Sequence, residues 1–165
     1  MMQVNDATDL VLERVLNAPV DRVWRAWTDA EQLKQWFCPR PWTTPEAVIE
    51  PRPGGRFYTR MEGPNGEGAS GGEGCILEAV ENERLVWTGA LEAGFRPGAS
   101  AFDCGEGPNM VFTAILTFAD AGEGRTHYRA HVMHADPRGK EAHEQMGFHH
   151  GWGAAATQLE EFAGR

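Results

Sequence analysis

The sequence predicts an α+β fold in which an antiparallel sheet packs with a long C-terminal helix. Three observations carry this. One apolar strand pattern precedes two short helical segments; about six strand-like segments then follow one another without helices between them; and Asp136 to Ala163 reads as helix. Strands in immediate succession pair antiparallel through short turns, because parallel pairing needs a long crossover.

Residues 8–16 are rich in Val and Leu and read as the first strand. Asn17-Ala18-Pro19 opens a helix with Asp21 near its positive end, and Val20, Val23, Trp24 and Trp27 recur at helical spacing. Thr28-Asp29-Ala30-Glu31 resembles a capping box that starts a second short helix through Trp36, which the stretch Pro39 to Pro45 ends. Residues 46–50, 55–61, 73–80 and 84–90 are short strands between turn signals, and Gly63 to Gly74 reads as a mobile turn. Residues 91–108 form a loop, 109–119 and 125–134 are strands, and 120–124 join them as a hairpin. On the last helix Phe148, Trp152, Ala155, Leu159 and Phe162 share one face. Extended backward, that face takes in Glu141 and Glu144. Gly147 and Gly151 border it, where missing side chains would allow close approach to the sheet. Without repeat or linker, 1–165 is a single domain with a core of about 8–163.

Lys and Arg total 15 against 24 Asp and Glu, a net charge of −9 with no basic run. That excludes a nucleic-acid partner and disfavours anionic membrane surfaces. No apolar stretch approaches the ~20 residues of a membrane span, so no membrane insertion is expected. Met1 to Asp6 lacks the basic and apolar regions of a signal peptide, which predicts a cytoplasmic protein. Cys38, Cys75 and Cys104 form no CxxC pair and read as reduced thiols.

Candidate chemistry is sparse. Six histidines (His127, His131, His134, His143, His149 and His150) lack the spacing of a metal pair on one helix turn, so no metal and no cofactor is expected. Ser70 and Ser100 lie in Gly-rich sequence without a nucleophile elbow. Glu141 and Glu144 suit a solvated helix N-terminus, with acid–base work by them or by His149 as the alternative. The catalytic residues are unknown. Six tryptophans are the richer signal: most should be core, but a concave sheet that one helix cannot fill leaves some lining a pocket. Tyr128, Ala130, Val132 and His134 form one strand face, Leu85, Trp87 and Gly89 another, and Phe57, Thr59 and Met61 a third; all are placed toward the helix. The opposite faces suggest solvent or a subunit contact, so a homodimer is left open.

Residues 15–39, V-L-N-A-P-V-D-R-V-W-R-A-W-T-D-A-E-Q-L-K-Q-W-F-C-P, closely resemble the opening of START-like (SRPBCC, Bet v-like) proteins. The similarity is to the branch homologous to the C-terminal domain of the activator of heat-shock-protein-90 ATPase. Arg52-Pro53-Gly54-Gly55-Arg56-Phe57, Glu83-Arg84-Leu85-Val86-Trp87-Thr88 and Gly151-Trp152 agree with it. The resemblance implies a helix-grip fold, a curved antiparallel sheet wrapped around the C-terminal helix, with a hydrophobic cavity between them. The expected function is binding of a small apolar or aromatic molecule there. Trp87, Tyr128, Phe148 and Trp152 would be walls, and Glu144 or His134 a polar handle. The alternatives are a cyclase or dehydratase type of enzyme using the same cavity, and a co-chaperone or stress-response interaction module.

Overall fold

The computed structural model describes residues 3–98 and 111–165, with Ser70 by its backbone alone. The elements run β1 (Asp9–Leu16), α1 (Val20–Thr28), α2 (Ala30–Leu33), β2 (Thr43–Ile49), β3 (Arg56–Glu62), β4 (Ser70–Val80), β5 (Arg84–Thr88), β6 (Leu91–Glu92), β7 (Arg96–Pro97), β8 (Phe112–Gly122), β9 (Arg125–His134), α3 (Pro137–Gln145) and α4 (Phe148–Ala163). Seven strands make one antiparallel sheet in the order β1-β9-β8-β5-β4-β3-β2, and β6 pairs with β7 apart from it. This is the helix-grip arrangement. The inner face of the sheet meets α1 and α4, and Leu12, Leu116, Ala130, Val132 and Leu159 pack in the core between them.

Local chemistry explains each departure from the expected elements. The α2 cap is Asp29, whose carboxylate accepts from the backbone N–H groups of Glu31 and Gln32. Thr28 is not the cap: its hydroxyl donates back to the Trp24 carbonyl. The α2 helix stops after one turn instead of reaching Trp36. The segment that follows is tied to α4 by Gln158, whose amide donates to the carbonyls of Trp36 and Cys38 and accepts from the Arg40 N–H. β2 begins early and contains Pro45, which it tolerates because it is an edge strand with a register shift between Thr43 and Glu46. The Gly-rich stretch is not all turn. Gly71 to Gly74 pair with β3, and a Cβ at Gly71 would come within 3.1 Å of the Tyr58 hydroxyl, so the glycine leaves room for that ring. The 91–108 loop contains the β6–β7 hairpin; residues 99–110, with Ser100 and Cys104, lie outside the described residues. Cys38 and Cys75 are buried free thiols.

The expected single C-terminal helix is two. Gly147 sits at φ 97, in the left-handed region, between α3 and α4. That is its role: a Cβ at Gly147 or Gly151 would meet nothing within 4 Å, so neither marks a close passage. The close passage is at Gly153, where a Cβ would fall 2.7 Å from Arg14 Nη2 of β1.

The outer sheet face is not simply solvated. His131 is 0% exposed, and its Nε2 lies 2.7 Å from the Asp9 carboxylate. Burial alone would raise the Asp9 carboxyl. Hydrogen bonds from the Asn5 backbone, His131 and Thr8 outweigh it and hold the group below its ordinary value. Asp9 therefore adds stability above the ordinary carboxylate pKa that is lost as pH falls through its lowered folded value. Asp9→Asn is expected to lower the unfolding free energy by about 1.5 kcal/mol at neutral pH. The gap from the parent protein should close in acid, and urea titrations at both pH values measure it.

Candidate functional site

Aromatic rings form a continuous wall on the inner face. Phe57 of β3 and Trp87 of β5 stack at 4.2 Å with 9° between their planes. They belong to strands two apart, and Gly74, opposite Phe57 on the strand between, puts no side chain in the way. The wall continues to Phe112 of β8, 5.4 Å from Trp87. On β9, His134 is the direct cross-strand partner of Phe112. From the helical side, Phe148 and Trp152 of α4 lie 5.4 Å apart, and Trp152 meets Phe112 edge-on at 6.0 Å. Phe57, Trp87 and Phe148 are buried, while Phe112 and Trp152 keep part of their surface accessible.

His143 completes this wall, a residue that the sequence reading considers only as a metal ligand. In an unbroken helix it would stand about 180° around and ~13 Å along from Trp152. The left-handed turn at Gly147 redirects α3, so the His143 ring lies 5.2 Å from Phe112, 5.1 Å from Phe148 and 6.4 Å from Trp152. Asp136 caps α3 by accepting from the Gly139 N–H, and Pro137 opens the helix. Burial and the neighbouring His134 lower the His143 pKa to about 4.

Two polar groups stand out among these rings. His134 Nδ1 lies 2.9 Å from the Thr8 carbonyl, and its Nε2 lies 2.9 Å from His143 Nδ1. The Trp87 indole N–H is buried with no hydrogen-bond partner among the described residues. The Trp27 N–H also lacks a full hydrogen bond among the described residues but has the Tyr128 hydroxyl as a neighbour.

The structure thus brings Trp87, His134, Phe148 and Trp152 together. Tyr128 is not among them: it sits near the other end of β9, buried against Phe118, and burial pushes its phenol up. Glu144 is also apart. Its side chain is 48% exposed, with the carboxylate 3.6 Å from His149, and Glu141 is exposed with an oxygen accepting from Gln145. The acid–base residues expected of a cyclase or dehydratase therefore lie on the solvent side of the helices. An open cleft of about 530 Å³ runs beside β2, but its ionic groups are already engaged, Arg56 with Glu73 and Lys34 with Glu31.

The family model for activator of Hsp90 ATPase homolog 1-like protein matches residues 17–164. The chain belongs to this family. Among solved members of the fold, a protein from Nitrosomonas europaea is 40% identical over 96% of both chains, with a TM-score of 0.87. A Mycobacterium smegmatis protein is 25% identical, covering 94% of this chain and 90% of its own, at 0.73. An AHSA1-like protein from Aeromonas hydrophila, 17% identical over 93% and 90%, shares the fold at 0.68. No curated protein matches the chain. The activator-like family has a START-like helix-grip fold, an architecture that commonly houses ligands. Among the described residues, no helix is long and apolar enough to cross a membrane.

Proposed function

We propose that this activator-like protein binds a small apolar or aromatic molecule between the inner sheet face and α4. The observation that carries the reading is the buried Trp87 N–H, 8% exposed as a residue and without a partner among the described residues, inside a wall otherwise made of rings. An unpaired buried donor costs about 1–3 kcal/mol, and native cores rarely keep one. A ligand acceptor would satisfy it, and the part-exposed rings of Phe112 and Trp152 would supply apolar contact. The net charge of −9 fits a small-molecule partner better than a polyanion.

Native mass spectrometry of the purified protein, followed by organic extraction, tests the reading directly. A stoichiometric small molecule supports it. An empty protein whose melting temperature no apolar compound shifts counts against it. Trp87→Phe keeps a ring against Phe57 but removes the N–H. The lost ring volume and the removed unpaired donor oppose each other, so the unfolding free energy is expected to stay within about 1 kcal/mol of the parent, while an acceptor-bearing ligand is weakened about tenfold. Trp152→Leu should weaken any ligand in a protein that still folds.

A further inference from the structure

Hydrogen-bond logic fixes the protons of the His134–His143 pair. A backbone carbonyl only accepts, so His134 Nδ1, 2.9 Å from the Thr8 oxygen, must carry a proton. In the neutral ring Nε2 is then bare and accepts from His143 Nδ1 at 2.9 Å. His143 Nδ1 is thereby the protonated nitrogen of a neutral imidazole. Its Nε2, away from the His134 bond, is left as a lone pair with no partner among the described residues. The ring carrying it is stacked on Phe112 at 27° and met edge-on by Phe148.

We infer that His134 and His143 form a tautomer-locked relay, and that the molecule held by this aromatic wall meets the His143 Nε2 lone pair with a neutral hydroxyl donor. The inference rests on the ligand-binding reading above and narrows it to phenols and aromatic alcohols rather than carboxylates. A carboxylate offers only acceptor atoms to the Nε2 lone pair, and one neutral donor, the Trp87 N–H, does not repay the desolvation of a full charge among rings. A hydroxyl donates to Nε2 while its aromatic body packs on Phe112 and Trp152. The lowered His143 pKa keeps the ring neutral, so its lone pair stays available near neutral pH. His134 acts as a positioning residue, since it sets which His143 nitrogen is bare without itself meeting the ligand.

The relay is read without any ligand by long-range proton–nitrogen NMR of the histidine side chains, with His143→Gln identifying the signals of His143. The expected result is a proton on Nδ1 and none on Nε2 at His143. His134→Phe should then release the lock and populate the Nε2-protonated form. A wild-type His143 already protonated on Nε2 would overturn the inference. Specificity is read by calorimetry with 2-naphthol, 2-methylnaphthalene and 2-naphthoate. The naphthol should bind about tenfold tighter than its methyl isostere, and the carboxylate about a hundredfold more weakly than the naphthol. His143→Phe should bring the naphthol down to the methyl compound and leave the latter unchanged. Equal binding of naphthol and methylnaphthalene to the wild type overturns the hydroxyl assignment while the apolar site stands. No binding by any of the three defeats the ligand-binding reading itself. If His143→Phe does not fold, the wild-type ranking and the tautomer decide between these outcomes.

Discussion

Gly55→Ala is expected to lower the unfolding free energy by about 3 kcal/mol or more, the range in which overpacking against a rigid backbone falls. A Cβ at Gly55 would stand 2.0 Å from the Glu50 carbonyl oxygen and 2.9 Å from that of Arg52. Both obstacles are backbone, and both are fixed. The Glu50 carbonyl accepts from the Arg52 N–H while the Glu50 N–H donates to the Arg56 carbonyl, and the Arg52 carbonyl accepts from the Gly55 N–H. The same turn is pinned to β4, where Gly54 donates to the Ile76 carbonyl and Ile76 donates to that of Gly55. Relief would therefore shift three strands together, including Phe57 two positions on, whose ring stacks on Trp87. Urea denaturation measures the loss, and near-ultraviolet circular dichroism reports whether the Phe57–Trp87 stack is disturbed. A variant as stable as the parent would mean that the turn relaxes without involving the sheet.

That turn also explains the residue types of the stretch Arg52-Pro53-Gly54-Gly55-Arg56-Phe57. Gly54 needs its positive φ of 82, and Gly55 has no room for a side chain, so spacing and residue type are both dictated by backbone geometry. Features of this kind are legible in a sequence because one residue type alone satisfies them. The β8–β9 hairpin is legible for a different reason, the turn-rich stretch between two alternating strands. Glu123 and Gly124 both take positive φ, as a tight two-residue turn requires, and the alternation along β9 fixes Tyr128, Ala130 and Val132 inward. Less legible is the start of β4, since a run of glycines has no periodicity and the room that Gly71 leaves is for the Tyr58 ring on the neighbouring strand. The outer-face burial of His131 was equally hidden, because it depends on Asp9 of a strand more than a hundred residues earlier.

The site divides along the same line. Trp87, Phe148, Trp152 and His134 follow from strand alternation and helix spacing, which are local rules. His143 did not, because one left-handed residue changes the face of everything before it. Counting through Gly147 as if it were helical puts Glu141 and Glu144 on the apolar face; in the structure both are exposed and His143 meets the rings instead. A glycine within a long apparent helix, followed at once by an aromatic, was the available signal that two helices meet there.

The inward placement of His143 has a thermodynamic consequence in a defined pH window. Its folded pKa is about 4, against an ordinary value of 6.5. Between those values the unfolded chain binds a proton that the folded chain refuses, so stability falls as pH drops from 6.5 toward 4 and this contribution is then constant below. A shift of this size corresponds to about 3 kcal/mol, reduced to roughly 2 because part of the ring remains accessible. His143→Gln retains an amide donor for His134 but cannot titrate. It is expected to flatten the stability profile in that window while leaving the acid-range loss from Asp9 in place, since that carboxyl titrates below its ordinary value of 3.8. Unfolding free energies measured at several pH values for both proteins separate the two groups. An unchanged slope in His143→Gln would place His143 in water. A flattened one would show that the aromatic wall excludes solvent from this imidazole, which is the condition under which its lone pair discriminates between a hydroxyl and a carboxylate.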